Sequence, residues 1–477
     1  MWWRDAVVYQ VYPRSFQDSD GDGIGDLNGI RARLDHLAWL GVDALWLSPI
    51  YPSPLADCGY DVSDYTSVDP AFGTLADYDA LVAEAHARGL RILMDLVPCH
   101  TSIEHPWFRA QPERYIWADR PNNWISAFGG SAWSQRDGRF YLHSFYPEQP
   151  DLDWRNPDVV AAMQDVLRFW IERGADGYRL DAIDRLLKDP QLRDDPPADG
   201  PPPLPLPVVE AAALTPAYSR NAPDTGTALG QIRAAVGDAL LVGEVYLAAG
   251  DWQPYLEHLD AAFAFELLHA PWDATTLRAA IDASTRLPGA AWALSNHDWG
   301  WLASRFGPEN ARVATMLLLT LPGMAFLYQG DEIGQVDGPG GSRQYDRAGR
   351  DRYRHPLQWD GSPSGGFTTG APWLPPVDPA RRNVADQRGD PASQLAFVRD
   401  LIAMRRSLGD GFQLLDGDAG TVVYERGDHV VALNPGAVPR AAPGPGAALL
   451  ETTSGALRDG VLAPHAGAIL HRTSAVD

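Results

Sequence analysis

Short apolar runs alternate with segments of helical period along most of the chain. Strand-like runs rich in β-branched and aromatic residues begin at Val7 ("VVYQV"), Asp43 ("DALWLSPI"), Arg91 ("RILMDLVP"), Gly177 ("GYRLDA"), Leu240 ("LLVGEVY"), Ala262 ("AFAFELL"), Ala291 ("AWALSNH") and Met324 ("MAFLYQGDE"). Between them, "LNGIRARLDHLAWLG" carries Ile30, Leu34, Leu37 and Leu40 at helical spacing, and further helices are predicted from Thr74 and Pro157. Strand and helix in alternation imply a parallel sheet, and eight such units predict an α/β fold of the TIM (β/α)8 barrel type. The competing arrangement is a doubly wound open sheet, but no glycine-rich nucleotide fingerprint follows the first strand.

Two stretches break the alternation. His100 to Trp154, after the third strand, is rich in Trp, Gly, Pro and Asn and lacks helical period, which predicts a subdomain (101–154) inserted at the barrel mouth. "DDPPADGPPPLPLPVVE", Asp194 to Glu210, is proline-dense and reads as a stiff excursion after the fourth strand. A last helix from Ser393 precedes "TVVYERGDHVVALN", so residues 411–477 are expected to form a C-terminal β domain, with the barrel built from 1–100 and 155–410.

Composition narrows the function. The formal charge of -23 repels phosphate backbones and anionic bilayers, so neither nucleic acid nor a membrane is an expected partner. Val313 to Tyr328 is the longest apolar region, but Pro322-Gly323 interrupts it, and helix followed by buried strand is the reading. With two cysteines, Cys58 and Cys99, there is no disulfide framework, and no signal-peptide pattern precedes the first strand; a cytoplasmic monomer or small homo-oligomer is expected. Both cysteines are expected near the barrel mouth, close enough for a bridge but present as free thiols. Seventeen Trp and seventeen Tyr in an acidic chain suit a neutral polyhydroxylated ligand.

Barrel enzymes carry their chemistry at the C-terminal ends of strands. Those ends hold Asp95 and His100, Arg179 and Asp181, Glu244, then Asn296, His297 and Asp298. Singly, each has a structural explanation: a helix cap, an ion pair, a core histidine. Together, carboxylates, histidines and an arginine on so many strand ends point to glycosidic bond chemistry, in which one carboxylate is the nucleophile and another the protonated acid. Arg179, on the same strand face as Asp181, is expected to keep it ionised, and the apolar "LLVG" before Glu244 to hold that group protonated.

These motifs resemble glycoside hydrolase family 13, the α-amylase family, and within it the oligo-1,6-glucosidase and α-glucosidase branch. "DLVPCH", "GYRLDAIDR", "GEVY" and "LSNHDW" are similar to its four main regions, and "QPDLDW" and "GIGDLNGI" to supplementary ones. The resemblance implies Asp181 as nucleophile, Glu244 as general acid/base and Asp298 as the third carboxylate, with His100, Arg179 and His297 in the first sugar subsite. It further implies that Tyr60 stacks on the terminal glucose, that Asp61 bonds its far hydroxyls, that Arg354 pairs with Asp61 to close the pocket, and that Phe145 lines it. The implied activity is retaining, exo-acting hydrolysis of α-1,4-linked, with α-1,6-linked as the second linkage, disaccharides and short oligosaccharides; Ala182 after the nucleophile favours α-1,4. Two alternatives use the same residues differently: a glucosyltransferase or isomerase like trehalose synthases and sucrose isomerases, and an inactive sugar-binding or regulatory protein.

"DSDGDGIGD", Asp18 to Asp26, spaces carboxylates like a calcium loop but is no EF-hand, because its twelfth place is Gly29. A structural cation site and a metal-free Asp/Gly turn both fit. The resemblance implies one structural Ca2+ held by Asp18, Asp20, Asp22, the Ile24 carbonyl and Asp26, and no organic cofactor. Cys99 stands where α-amylases have the asparagine of another calcium site, which speaks against that second site.

Overall fold

The computed structural model describes residues 1–200, 204, 213–339, 345–442 and 448–472. Most of the proline-dense stretch expected over 194–210 therefore lies outside the described residues. Eight parallel strands close into a barrel: β1 (Val7–Val11), β2 (Ala44–Leu47), β3 (Arg91–Leu96), β4 (Gly177–Leu180), β5 (Leu240–Gly243), β6 (Ala261–Phe263), β7 (Ala290–Ala293) and β8 (Met324–Tyr328). Each pairs with its neighbours in sequence, and β8 returns to β1. These are the eight runs read from the sequence.

The strand period of two sorts the side chains into two sets. Tyr9, Leu45, Ile92, Leu241 and Leu327 belong to the large cluster between the sheet and its helices. Val8, Trp46, Leu93, Val242, Phe263 and Phe326 form a separate cluster inside the barrel. Continuing the inward set toward the C-terminal ends gives Gln10, Ser48, Asp95, Arg179, Asp181 and Glu244. The active-site candidates are thus the top layer of the barrel's own filling.

Helix starts follow local chemistry. Thr74 and Asp77 form a reciprocal capping box at the head of the helix Leu75–Ala87, Asn156 caps Pro157–Glu172, and Ser393 caps Gln394–Arg405. The single helix expected after the first loop is two, Leu27–Ala32 and Leu34–Leu40. They break at Arg33, whose guanidinium donates to Gln17 at 2.7 Å and lies over the Trp359 ring at 4.2 Å. An apolar stripe cannot register such a break, because both halves keep the same face inward. Val313 to Tyr328 is a helix (Ala311–Thr320) followed by β8, and no helix among the described residues is long and apolar enough to cross a membrane.

Between β3 and β4, a three-stranded antiparallel sheet (Trp117–Ala118, Trp133–Arg136, Arg139–Leu142) packs around Trp124, Trp133 and Leu142. The segment after β4 is tied to it: Asn123 bonds Asp194 and Asp195, and the Trp124 indole donates to the Arg193 carbonyl at 2.9 Å. Beyond the last helix lie a five-stranded and a three-stranded antiparallel sheet. Arg405 on that helix and Arg426 on the larger sheet both bind the carboxylate of Asp5, at 2.9 and 2.7 Å, joining both to the segment before β1.

Candidate active site

The strand ends open into a cavity of about 600 Å3 between the barrel and the inserted sheet. Its floor carries Asp181, Glu244, Asp298, Tyr60 and His100, and Phe145 and Ala182 form part of its walls. Arg179 lies beneath it, fully buried. Its guanidinium bonds Asp95 at 2.9 Å, Asp181 at 2.5 Å and Glu244 at 2.7 Å. One cation among three carboxylates leaves the cluster short of positive charge. The expectation that Arg179 alone would keep Asp181 ionised is therefore too simple. Burial pushes Asp181 well above the carboxylate range, Arg179 opposes this, and the charges of Glu244 and Asp95 add to it. Asp95, which also accepts from Tyr60 and Trp46, is pushed up to about 6, first by burial. The three carboxylates share one guanidinium and therefore titrate as a unit and not one by one.

Asp298 has the opposite environment. Burial opposes its charge, but His297, Arg350, Arg354 and Arg179 together hold it far below the usual carboxylate range. Arg350 and Arg354 bond one of its oxygens at 2.9 and 3.0 Å. His297 is stacked between Tyr60 (5.2 Å between ring centres) and Tyr12 (6.2 Å), and burial drops it to about 3, so its ring is neutral. Gln10 donates to Nδ1 at 2.8 Å, leaving the proton on Nε2, 3.1 Å from Asp298. Gln10 is missed by motif reading, yet the inward alternation from Val8 places it.

The clamp that closes the pocket differs from expectation. Asp61 is fully buried and faces its own loop: its carboxylate accepts from Ser53 and from the backbone N–H groups of Ala56 and Asp57, at 2.8 to 3.0 Å. Arg354 binds Asp298 and the His297 carbonyl instead of Asp61. The pocket ion pair is made by Asp57 and Arg350, with Arg350 also bound to Asp346 and Asp298. Gln149 continues the chain, bridging Asp57 (3.0 Å) and His100 (2.9 Å). Leu55 and Cys58, on either side of Asp57, have left-handed backbone (φ 66° and 52°), and this turn decides which carboxylate reaches the pocket.

The two cysteines are free. Cys99 Sγ lies 3.0 Å from the Ala182 carbonyl, whereas Cys58 faces Tyr345 and Asp346, so each thiol contacts a different segment. Ala182 itself is left-handed (φ 45°), and its N–H donates to Glu244 at 3.0 Å. The nucleophile's own turn thereby orients the acid.

At the first loop, carboxylate oxygens of Asp18, Asp20 and Asp22 lie within 4.8 Å of one another, a set that fits a hard cation. Asp26 does not join them. Its two oxygens accept from Ser19 and from Gly29 N, capping the helix Leu27–Ala32.

A family model described as the α-amylase catalytic domain matches residues 10–410. The chain belongs to the α-amylase family, glycoside hydrolase family 13. It is 42% identical over 463 residues to a probable α-glucosidase of Rhizobium meliloti (85% of this chain, 83% of that one). It is 36% identical over 480 residues to an oligo-1,6-glucosidase of Parageobacillus thermoglucosidasius (85% and 84%). Among solved structures, an α-glucosyl transfer enzyme superposes with a TM-score of 0.90 at 36% identity, covering 98% of this chain and 99% of the other. The trehalulose synthase of Pseudomonas mesoacidophila gives 0.88 at 31%, covering 99% of both. As a member of this family the protein is a glycoside hydrolase.

Proposed function

We propose that the protein is a retaining, exo-acting α-glucosidase that removes glucose from the non-reducing end of α-1,4-linked disaccharides and short oligosaccharides. The observation that carries this is the closed inner end of the cavity, where Arg350 joins Asp57 to Asp298 beside the Asp181–Arg179–Glu244 cluster. A pocket sealed there takes one terminal sugar and not the middle of a chain. Asp181 attacks the anomeric carbon while Glu244 protonates the departing oxygen; water, deprotonated by Glu244, then releases glucose. Asp298, held ionised by the two arginines, accepts from the ring hydroxyls, and neutral His297 donates from Nε2. Tyr60, backed by His297, stacks on the sugar, and His100 and Phe145 line the same subsite.

Glucosyl transfer to a second sugar is the other reading. Phe128, Tyr146, Tyr246 and Trp299 add aromatic lining to the cavity that would favour a sugar over water as acceptor, and a structural relative is an α-glucosyl transfer enzyme. The carboxylates of Asp18, Asp20 and Asp22, with the Ile24 carbonyl, are proposed to hold one structural calcium ion, which would brace the first loop without entering the chemistry.

The test is product analysis on maltose, isomaltose, sucrose, trehalose and maltotriose beside Asp181→Asn. Glucose from maltose, lost in the variant, supports the glucosidase. A new disaccharide with little glucose moves the assignment to transfer or isomerisation, and inertness toward all five defeats both.

A further inference from the structure

Arg185 lines the cavity four residues beyond the nucleophile. The other arginines of the site have acceptors: Arg179, Arg350 and Arg354 bind carboxylates of the floor, and Arg347 binds Glu148 at 2.8 Å. The Arg185 side chain makes no hydrogen bond and no ion pair among the described residues; the Phe145 ring lies 5.3 Å below the guanidinium, and the charges of Asp184 and Asp151 act on it from farther off. Its near neighbour Asp184 is already engaged by Arg220. Phe145 belongs to the inner sugar subsite, so a cation lying on its ring sits where the second sugar must begin. Ala182 and Tyr246 face the same space.

Resting on the glucosidase reading, we propose that Arg185 is a specificity-determining residue that binds the leaving or acceptor sugar through its hydroxyl oxygens. A guanidinium offers five donors in a fixed plane and needs acceptors on every edge. Here the ring of Phe145 fixes that plane and removes one face from water. A hydroxyl-rich neutral sugar fits better than an anionic aglycone, because Glu244, Asp184 and Asp298 also border the cavity and would repel a second negative charge.

The experiment compares two substrates that share the glucosyl group: maltose, whose aglycone carries hydroxyls, and 4-nitrophenyl α-glucoside, whose aglycone carries none. Arg185→Met keeps the apolar stem on Phe145 and removes the donors; Arg185→Lys restores one charge without the planar fork. For Met, kcat/KM on maltose is expected to fall about tenfold to a hundredfold, with the nitrophenyl substrate changed less than about twofold and transfer to added maltose reduced in step. Lys is expected to recover part of the maltose activity. Equal losses on both substrates would reveal a purely structural role and overturn the proposal, as would no change on either. A wild-type protein inert on both substrates would instead defeat the glucosidase reading, and this inference with it.

Discussion

Asp57 and Arg350, far apart in sequence, form the ion pair that seals the inner end of the sugar pocket, and Arg350 carries the same contact on to Asp298. The pair locks the loop after β2 to the segment after β8, so substrate recognition and loop closure are one interaction. Removing either partner strands the other in a buried site. Asp57→Ala and Arg350→Ala are each expected to lower kcat/KM on maltose by roughly a hundredfold or more, and the double variant by little beyond the worse single. Additive losses in that cycle would show that the two act separately.

Asp61 gives the contrasting outcome. Its carboxylate accepts three hydrogen bonds inside its own loop, and an amide at that place turns a donor toward backbone N–H groups. Asp61→Asn is expected to cost roughly 1–3 kcal/mol of stability, seen as a lower Tm, with kcat per folded molecule near wild type. A large fall in kcat at unchanged Tm would return Asp61 to the sugar.

His36 makes the protein acid-labile in a defined window. It is buried against Trp39 and Trp359 with neither ring nitrogen hydrogen-bonded among the described residues, and burial first, then Arg388 and Arg33, drop it to about 3. The unfolded chain takes up that proton near 6.5, so between about 6.5 and 3 the unfolded state binds more protons and stability falls as pH falls. From pH 7 to 5 the loss is about 2 kcal/mol. The Tm of His36→Leu is expected to decline less steeply than wild type over that range; parallel curves would clear His36 of the effect.

The proposed calcium site at the first loop can be tested against the helix cap made by Asp26. Asp20→Ala and Asp22→Ala are expected to abolish the rise in Tm on adding calcium to chelator-treated protein. Asp26→Ala should lower Tm by the cost of a lost helix cap, about 1 kcal/mol, with and without calcium alike. A calcium response lost with Asp26 and kept without Asp20 would reverse these roles.

The proposed α-1,4 preference can be tested at Ala182. A β-branched side chain is more strained than alanine at φ 45°, and its added methyl groups would crowd the cavity that Ala182 lines. Ala182→Val is expected to lower kcat/KM on maltose more than on isomaltose. An unchanged ratio would remove Ala182 from the choice of linkage.

Most of the architecture is written in periodicity. All eight strands of the barrel announce themselves as apolar runs, and Asp181, Glu244 and Asp298 follow because strand ends converge at one face. What periodicity does not carry is the aim of side chains in irregular backbone. Asp57 and Asp61 sit four residues apart in one loop, and the left-handed turns at Leu55 and Cys58 decide which of them meets the arginine. Arg350 and Arg354 pose the same choice on a short 3-10 turn. Asp26 resembles its neighbours in composition and differs in what its carboxylate meets, Ser19 and Gly29 N.

On the glucosidase reading, the seal at the inner end of the pocket sorts substrates by how they end. A terminal glucose bearing a substituent on its far hydroxyls has no place to put it behind Asp57 and Arg350, so a capped chain is invisible to this protein whatever its length. An uncapped one is shortened by a single unit and must let go before it can be read again.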